Sequence, residues 1–523
     1  MAASMNGPAR LLVAAAILHL VLVLPAAPMP LSQALLRLAP ELPLILLALA
    51  LARLRLLVAL ALLVLTVQKL ADLATMLALG RGFNPLTDLP LVDAGLRWAG
   101  GTLGLFGLGL ALAVALAALV AGAAAVWWAA GVWARAPRRL APAIAVLAAV
   151  LLAVPGWGGN GPYALSRIAL VRQTAQDLRQ LRLLAAQDPL ATASGLLAGI
   201  DRDVLVVFVE SYGRASLDVP FYAGRHRATL REAQDRLAQA GLAMRSGFLA
   251  APTRGGQSWL SHATFANGLW IADQARYDAA RALGRQGLFH HARRAGFRTA
   301  AVMPAITRPW PEGAAMGFDR ILARDDLGYR GLSFGWVTMP DQFTLAATDR
   351  LLRGAAGGPH LFAQVVLISS HAPWVPVPRL LPWAELDDGA AFDAMARAGD
   401  PPKEVWRDPD RVRKAYREAL DYSLRTVADY ALSHARDPPL MIVLGDHQAA
   451  PWVAMDERPD VPIHLIGPAP LVERAAAWGF APGLVPPAGQ PVLPMDRMRD
   501  LILGGFEPDA APGGCGSGCL AVK

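Results

Sequence analysis

The apolar run Leu440–Leu444 passes through Gly445 straight into Asp446 and His447. A buried strand that finishes in a carboxylate and an imidazole sets an oxygen and a nitrogen donor side by side. Two other apolar runs end in the same kind of chemistry: Val204–Val209 is followed by Glu210, and Leu361–Ser369 by His371. A borderline divalent cation is the physical reason to collect such donors. Glu210 by itself reads more readily as a solvated strand end, and it is the agreement of three strand ends that carries weight. A hydroxyl comes from the stretch "APTRGGQSWLSHATFANGLW", in which Ser258 follows Gly255 and Gly256 and precedes a helical pattern. Paired glycines let a backbone approach a phosphate, and a helix N-terminus presents free N–H groups to an anion. Ser258 is thus a candidate nucleophile, with a helix N-cap as the alternative. His262, four residues on and on the same helical face, suits a base or a structural helix residue equally.

Positioning these groups requires a sheet whose strand ends converge. Short apolar runs recur at Val204–Val209, Thr299–Met303, Leu361–Ser369, Leu440–Leu444 and Val461–Ile466, with helical patterns between them, the longest being Arg411–Arg436. Alternating strands and helices imply a mostly parallel sheet covered on both faces. Ligands of such sheets bind beyond the carboxyl ends of the strands. That directs attention to Pro304–Trp310 as well as to Glu210, His371 and Asp446–His447.

The composition adds a second compartment. The chain has 523 residues, 54% hydrophobic and only 17% charged, and its mean hydropathy of +0.36 points to a membrane protein. Leu, Ala and Val dominate the first 158 residues, while charge concentrates after Ala164. The net charge of +8 is not organised into Lys/Arg blocks alternating with aromatics, which argues against nucleic acid as a partner. A span needs about 20 apolar residues. The expected spans are Leu11–Met29, Leu42–Ala52, Leu56–Met76, Thr102–Trp133 and Leu140–Val154, the last extending through Pro155 to Trp157. Arg10, Arg53, Arg55, Arg135, Arg138 and Arg139 share a side only if the N-terminus is cytoplasmic, against a weaker opposite set of Arg37, Arg81 and Arg97. A signal peptide is the alternative for Leu11–Met29 and leaves the later orientation unchanged: everything after Val154 is extracytoplasmic.

Lys69 and Asp72, three apart on the third span, are expected to pair across one helical face, as either a functional or a structural ion pair. Tyr163–Asp188 reads as an amphipathic helix with basic edges, suited to an anionic surface or to packing on the soluble half. The expected organisation is a transmembrane domain over 1–158, a juxtamembrane linker over 159–200, a catalytic domain over 201–505 and a Gly-rich tail over 506–523. Cys515 and Cys519 lie in that tail, and disorder without a role is the expectation for them.

The ordered motifs "VFVESYGR", "GGQSW", "SSHAPW" and "GDH" resemble the alkaline phosphatase/sulfatase superfamily. They look most like its membrane-anchored lipoteichoic-acid synthase and phosphoglycerol transferase branch. The resemblance implies an N-terminal helical membrane domain of about five spans and an extracytoplasmic alkaline-phosphatase-like α/β domain with a mostly parallel central sheet. It also implies one Mn2+ or Zn2+ held by Glu210, Ser258, Asp446 and His447, a headgroup contact by His371, and a pocket lined by Arg308 and Trp310. The family's synthases usually carry Thr where this chain has Ser258. Around Ser258 the C/S-x-P-x-R pattern of sulfatases is absent, so their modified nucleophile is not expected. Phosphoethanolamine transferases share the fold but typically carry several disulfides.

The resulting expectation is a multi-pass protein of the inner (plasma) membrane. It moves a phospholipid headgroup, phosphoglycerol first, through a covalent Ser258 intermediate to a glycan or other hydroxyl acceptor. Phosphoethanolamine transfer, sulfatase- or phosphodiesterase-like hydrolysis, and non-catalytic binding of polyanionic glycan or lipid are the rival readings.

Overall fold

The computed structural model describes residues 7–153, 159–308, 310–353 and 358–507. The tail with Cys515 and Cys519 and the Pro155–Trp157 extension of the last span lie outside these residues. The chain divides into two compact units, Met1–Asp177 and Leu178–Lys523.

The first unit is helical: α1 (Gly7–Leu22), α2 (Leu42–Ala52), α3 (Arg55–Leu79), α4 (Leu89–Trp133), α5 (Ala141–Ala153) and the start of α6 (Asn160–Ala186). Among the described residues, two helices are long and apolar enough to cross a membrane, α3 and the Ala99–Trp133 part of α4. The 11 residues of α2 reach roughly 17 Å at 1.5 Å per residue, against a hydrocarbon core of about 30 Å. The fourth expected span starts earlier than its apolar run, at Leu89, and is interrupted at Gly104, which has φ 72° and ψ 166°. Only glycine takes that conformation without a Cβ clash. Beyond the break Leu105 and Phe106 are each 87% exposed, a surface suited to lipid rather than water. Where the helices meet, small residues are buried, among them Ala14, Ala129 and Ala130, as close approach of membrane helices requires.

The Lys69–Asp72 pair does not form. Lys69 Nζ donates to the carbonyl of Leu22 at 2.8 Å. Asp72 instead accepts from the Phe83 N–H at 2.7 Å, Tyr163 Oη at 2.5 Å and Arg167 Nη1 at 3.3 Å. Helical spacing of three permits a contact, but tertiary partners outcompeted it.

The second unit is a nine-stranded sheet with helices on its faces. Its strands are β1 (Val204–Val209), β2 (Ala243–Ala250), β3 (Arg298–Met303), β4 (Arg320–Ala323), β5 (Leu361–Leu367), β6 (Leu440–Gly445), β7 (Asp460–Gly467), β8 (Ala481–Pro482) and β9 (Val492–Pro494). They are ordered β4-β3-β5-β1-β6-β7-β2-β8, with β9 on β2. The block from β4 to β6 is parallel. β1, β5 and β6 are buried along their whole length, which is why they read as continuous apolar runs rather than alternating ones. β7 runs antiparallel to β6, so its carboxyl end points away from those of the parallel block and the expected Val461–Ile466 strand does not serve the same edge. β2, absent from the sequence reading, pairs antiparallel with β7. Its Ser246 Oγ lies 2.7 Å from His464 Nδ1, so polar residues hold a buried strand that apolar periodicity does not reveal.

Among the covering helices are α7 (Pro220–Gln239), α8 (Ser258–Asn267), α9 (Leu288–Arg294), α10 (Pro409–Ser433) and α11 (Arg497–Gly505). α10 starts at Pro409 behind Asp408, whose side chain accepts from the Asp410 N–H, the expected chemistry of a helix start. At the end of α6, Leu181 and Ala185 are buried with Leu260, Ala263 and Ile271. This part of the linker therefore packs on the second unit's core, whereas Leu165 earlier in α6 is 68% exposed.

Candidate active site

β1 and β6 are hydrogen-bonded neighbours, with Val209 opposite Gly445. The register alone sets the next residues, Glu210 and Asp446, side by side beyond the strand ends, with His447 adjoining. All three are buried, and one donor atom from each lies within 4.8 Å of the others. His447 Nε2 is 3.3 Å from Glu210 Oε1 and 3.7 Å from Asp446 Oδ2. Ser258 completes the set: its hydroxyl donates to Glu210 Oε2 at 3.2 Å and lies 3.2 Å from His447 Nε2.

The loop before Ser258 explains its reach. Gly255, Gly256 and Gln257 have φ of 74°, 142° and 68° in succession, and the Gly255 N–H donates to the carbonyl of Gln448 at 2.7 Å. The turn is thereby tied to the strand end that carries Asp446. Left-handed φ at the non-glycine Gln257 costs on the order of 1 kcal/mol and persists because its surroundings enforce it. Gln257, not Ser258, occupies the N-cap. The Ser258 hydroxyl is engaged with Glu210 and His447, so the capping alternative is set aside.

Neighbouring contacts orient these groups. Asp446 Oδ1 accepts from the N–H groups of Ser211 and His447 at 2.8 and 2.7 Å. His447 Nδ1 faces the carbonyl of Gln448 at 3.0 Å, which leaves Nε2 to point at the carboxylates. Ser370 Oγ donates to the backbone carbonyl of Glu210 at 2.6 Å, and Tyr416 Oη to that of Ser211 at 2.8 Å. Ser370 and Tyr416 went unread in the sequence, because a hydroxyl bonded to a backbone carbonyl leaves no spacing pattern.

Burial and the negative charge of Glu210 push the Asp446 carboxyl up. Burial opposes ionisation of Glu210 too, but the nearby imidazoles of His371 and His447 hold it well below the usual carboxylate range. Burial would lower His447, yet Asp446 and Glu210 raise it to about 9. Two buried carboxylates this close are mutually repulsive and call for positive charge between them. Asp446 Oδ2 is buried and accepts no hydrogen bond. Carboxylate and imidazole donors that converge around such an oxygen fit a divalent cation.

A cavity of about 330 Å³ adjoins Ser258, with His262, His371 and Trp310 in its wall and largely apolar sides that include Phe289, Met316 and Phe318. His262 packs its ring on Phe208 at 4.2 Å. Its Nε2 is buried without a partner, and burial drives it down to about 3, so the ring is neutral. His371 stands outside the donor cluster, its ring stacked on Trp336 at 6.4 Å. Arg308 is exposed and is not among the cavity residues, so of the expected Arg308/Trp310 pair only Trp310 faces the site.

Residues 202–452 match the family model described as Sulfatase, a range that holds Glu210, Ser258, Asp446 and His447. No curated protein matches the chain. Among solved structures it is similar to the lipoteichoic acid synthase LtaP from Listeria monocytogenes, at 13% identity and a TM-score of 0.40, over 65% of this chain and 79% of that one. The Streptococcus pyogenes phosphoglycerol transferase GacH, solved with sn-glycerol-1-phosphate, gives 12%, 0.38, 65% and 82%. The C-terminal periplasmic domain of EcEptC from Escherichia coli gives 14%, 0.37, 61% and 88%.

Proposed function

Starting from residues 202–452 as a sulfatase-family domain, we propose that the protein is a membrane-bound, metal-dependent phosphotransferase. It moves a phospholipid headgroup, phosphoglycerol first among the choices, to a hydroxyl acceptor such as a glycan. The observation that carries this reading is the Ser258 hydroxyl at 3.2 Å from both Glu210 and His447, at the mouth of a cavity large enough for a headgroup. Glu210, Ser258, Asp446 and His447 would hold one Mn2+ or Zn2+, whose charge lowers the proton affinity of a hydroxyl and neutralises phosphate oxygens.

In the first step Ser258 Oγ attacks phosphorus. The P–O bond to diacylglycerol breaks, and the serine proton ends on the departing diacylglycerol oxygen. In the second step the acceptor hydroxyl attacks the same phosphorus, the P–O bond to Ser258 breaks, and the acceptor's proton returns to Ser258. Dividing one displacement into two is the logic of nucleophilic catalysis. His371, in the cavity wall but outside the donor cluster, is assigned to the headgroup. His262 lies one helical turn from Ser258, and the burial that keeps its ring neutral favours a structural role over that of a base. The arginines at 53, 55, 135, 138 and 139 support an extracytoplasmic second unit, facing lipid headgroups of the outer leaflet.

Mass spectrometry of the full chain incubated with phosphatidylglycerol tests this reading. A phosphoglycerol adduct on Ser258, absent from Ser258→Ala, is the expected result. Adduct formation in which water alone discharges the headgroup would make the protein a hydrolase. Turnover by Ser258→Ala at a near-native rate would remove the covalent mechanism.

A further inference from the structure

The first unit contains a small polar cavity where its composition would least supply one. It measures about 110 Å³, and its walls include Lys69 on α3, Arg37 in the segment after α1, and Asn160 and Tyr163 at the start of α6. Lys69 is only 5% exposed. An ammonium carries three donors, and Lys69 Nζ uses one of them on the carbonyl of Leu22, with the Tyr163 ring 5.8 Å away. The carboxylate one turn along, Asp72, is occupied by Phe83, Tyr163 and Arg167. Glu41 accepts from the Gly161 N–H, and its carboxylate lies against Gly159 behind the cavity wall, where it offsets part of the positive charge without lining the cavity itself.

Two cations thus face one small space. Charged groups inside a membrane unit are costly unless partnered, and they mark ligand paths. An anion between Lys69 and Arg37 would relieve their repulsion and use the remaining ammonium donors. The volume is that of roughly three to four waters at about 30 Å³ each. That suits a phosphate group and excludes the body of a lipid. Leu36 and Leu38 beside Arg37 are 82% and 53% exposed, an apolar track on which acyl chains could lie outside the cavity.

The cavity also sits where several helix ends meet. The Leu22 carbonyl receives both Lys69 Nζ and Asn160 Nδ2, and Asp72 joins Phe83 to Tyr163. The end of α1, the turn after α3 and the start of α6 therefore meet at one end of the unit. We infer that this cavity binds the phosphate of a membrane phospholipid, with Lys69 and Arg37 donating to its oxygens. The site is separate from Ser258 and does not depend on the reaction proposed there.

Native mass spectrometry of the full chain, carrying Ser258→Ala so that bound lipid is not consumed, tests the inference. With added phosphatidylglycerol this cavity should add one equivalent to whatever the Ser258 cavity retains, and that added equivalent should fall at least tenfold in Lys69→Met and in Arg37→Gln. Arg37 is exposed, so its variant keeps the measurement meaningful even where Lys69→Met fails to fold. Diacylglycerol, which lacks the phosphate, should not be retained. Undiminished retention in Arg37→Gln, or equal retention of diacylglycerol, overturns the site. Displacement of the lipid by equimolar inorganic phosphate overturns the lipid assignment.

Discussion

Asp446 and His447 are consecutive residues that offer two donors to one point, and this has a measurable consequence. Metal analysis of the full chain should give one equivalent of divalent metal, reduced to background in an Asp446→Ala/His447→Ala double variant. Undiminished metal in that variant would remove these residues as ligands. His371 separates from them, since it follows β5 and stands outside the cluster. His371→Ala should lose turnover on the order of 100-fold or more while keeping the metal, in keeping with loss of an interaction to the reacting substrate. Loss of both together would make His371 a ligand. Ser258→Thr, which preserves the hydroxyl, should retain part of the activity that Ser258→Ala lacks.

The elements of the second unit are locked by a fully buried cation. Arg499 on α11 is 0% exposed. Its guanidinium meets Asp188 at 2.6 and 3.1 Å, the carbonyl of Gln286 at 2.8 Å, and His291 Nε2 on α9 at 3.1 Å. It joins the segment after α6, the loop before α9 and the C-terminal helix through one planar fork. Asp188 also faces Arg285 at 3.6 Å and Arg499 also meets Asp500 at 2.8 Å, so removing one partner leaves the other partly compensated and should cost less than the about 3–5 kcal/mol of a fully orphaned buried charge. Arg499→Ala should lower the denaturation midpoint accordingly, and Asp188→Asn should do likewise; a change within about 0.5 kcal/mol in both would show the network to be dispensable.

For the whole molecule the decisive quantity is the side of the membrane on which the second unit stands. The proposed function needs it outside, and the positive charge at Arg53, Arg55, Arg135, Arg138 and Arg139 supports that reading. A reporter active only outside the cytoplasm, fused after Lys523, should be active, and activity from a cytoplasm-only reporter at that position would overturn the assignment. Among the described residues two helices are long and apolar enough to span, and the same fusions made after Leu79 and Trp133 would count the crossings.

The sequence by itself determined the strand ends. β1, β5 and β6 are apolar throughout because both faces of the sheet are covered, and each run stops where a donor residue begins. Glu210, His371 and Asp446–His447 were legible for that reason, and Ser258 through its glycine pair. What brings Glu210, Ser258, Asp446 and His447 to one point is register: Val209 opposite Gly445, and Gly255 bonded to Gln448 across nearly two hundred residues. No local pattern encodes such pairings. Tertiary structure also separated Lys69 from Asp72, left Arg308 in solvent and reversed β7 against β6. It revealed β2, whose polar residues are satisfied by partners distant in sequence. Periodicity reports which face of an element is buried; the identity of the partner on that face is decided only when the whole chain has closed around it.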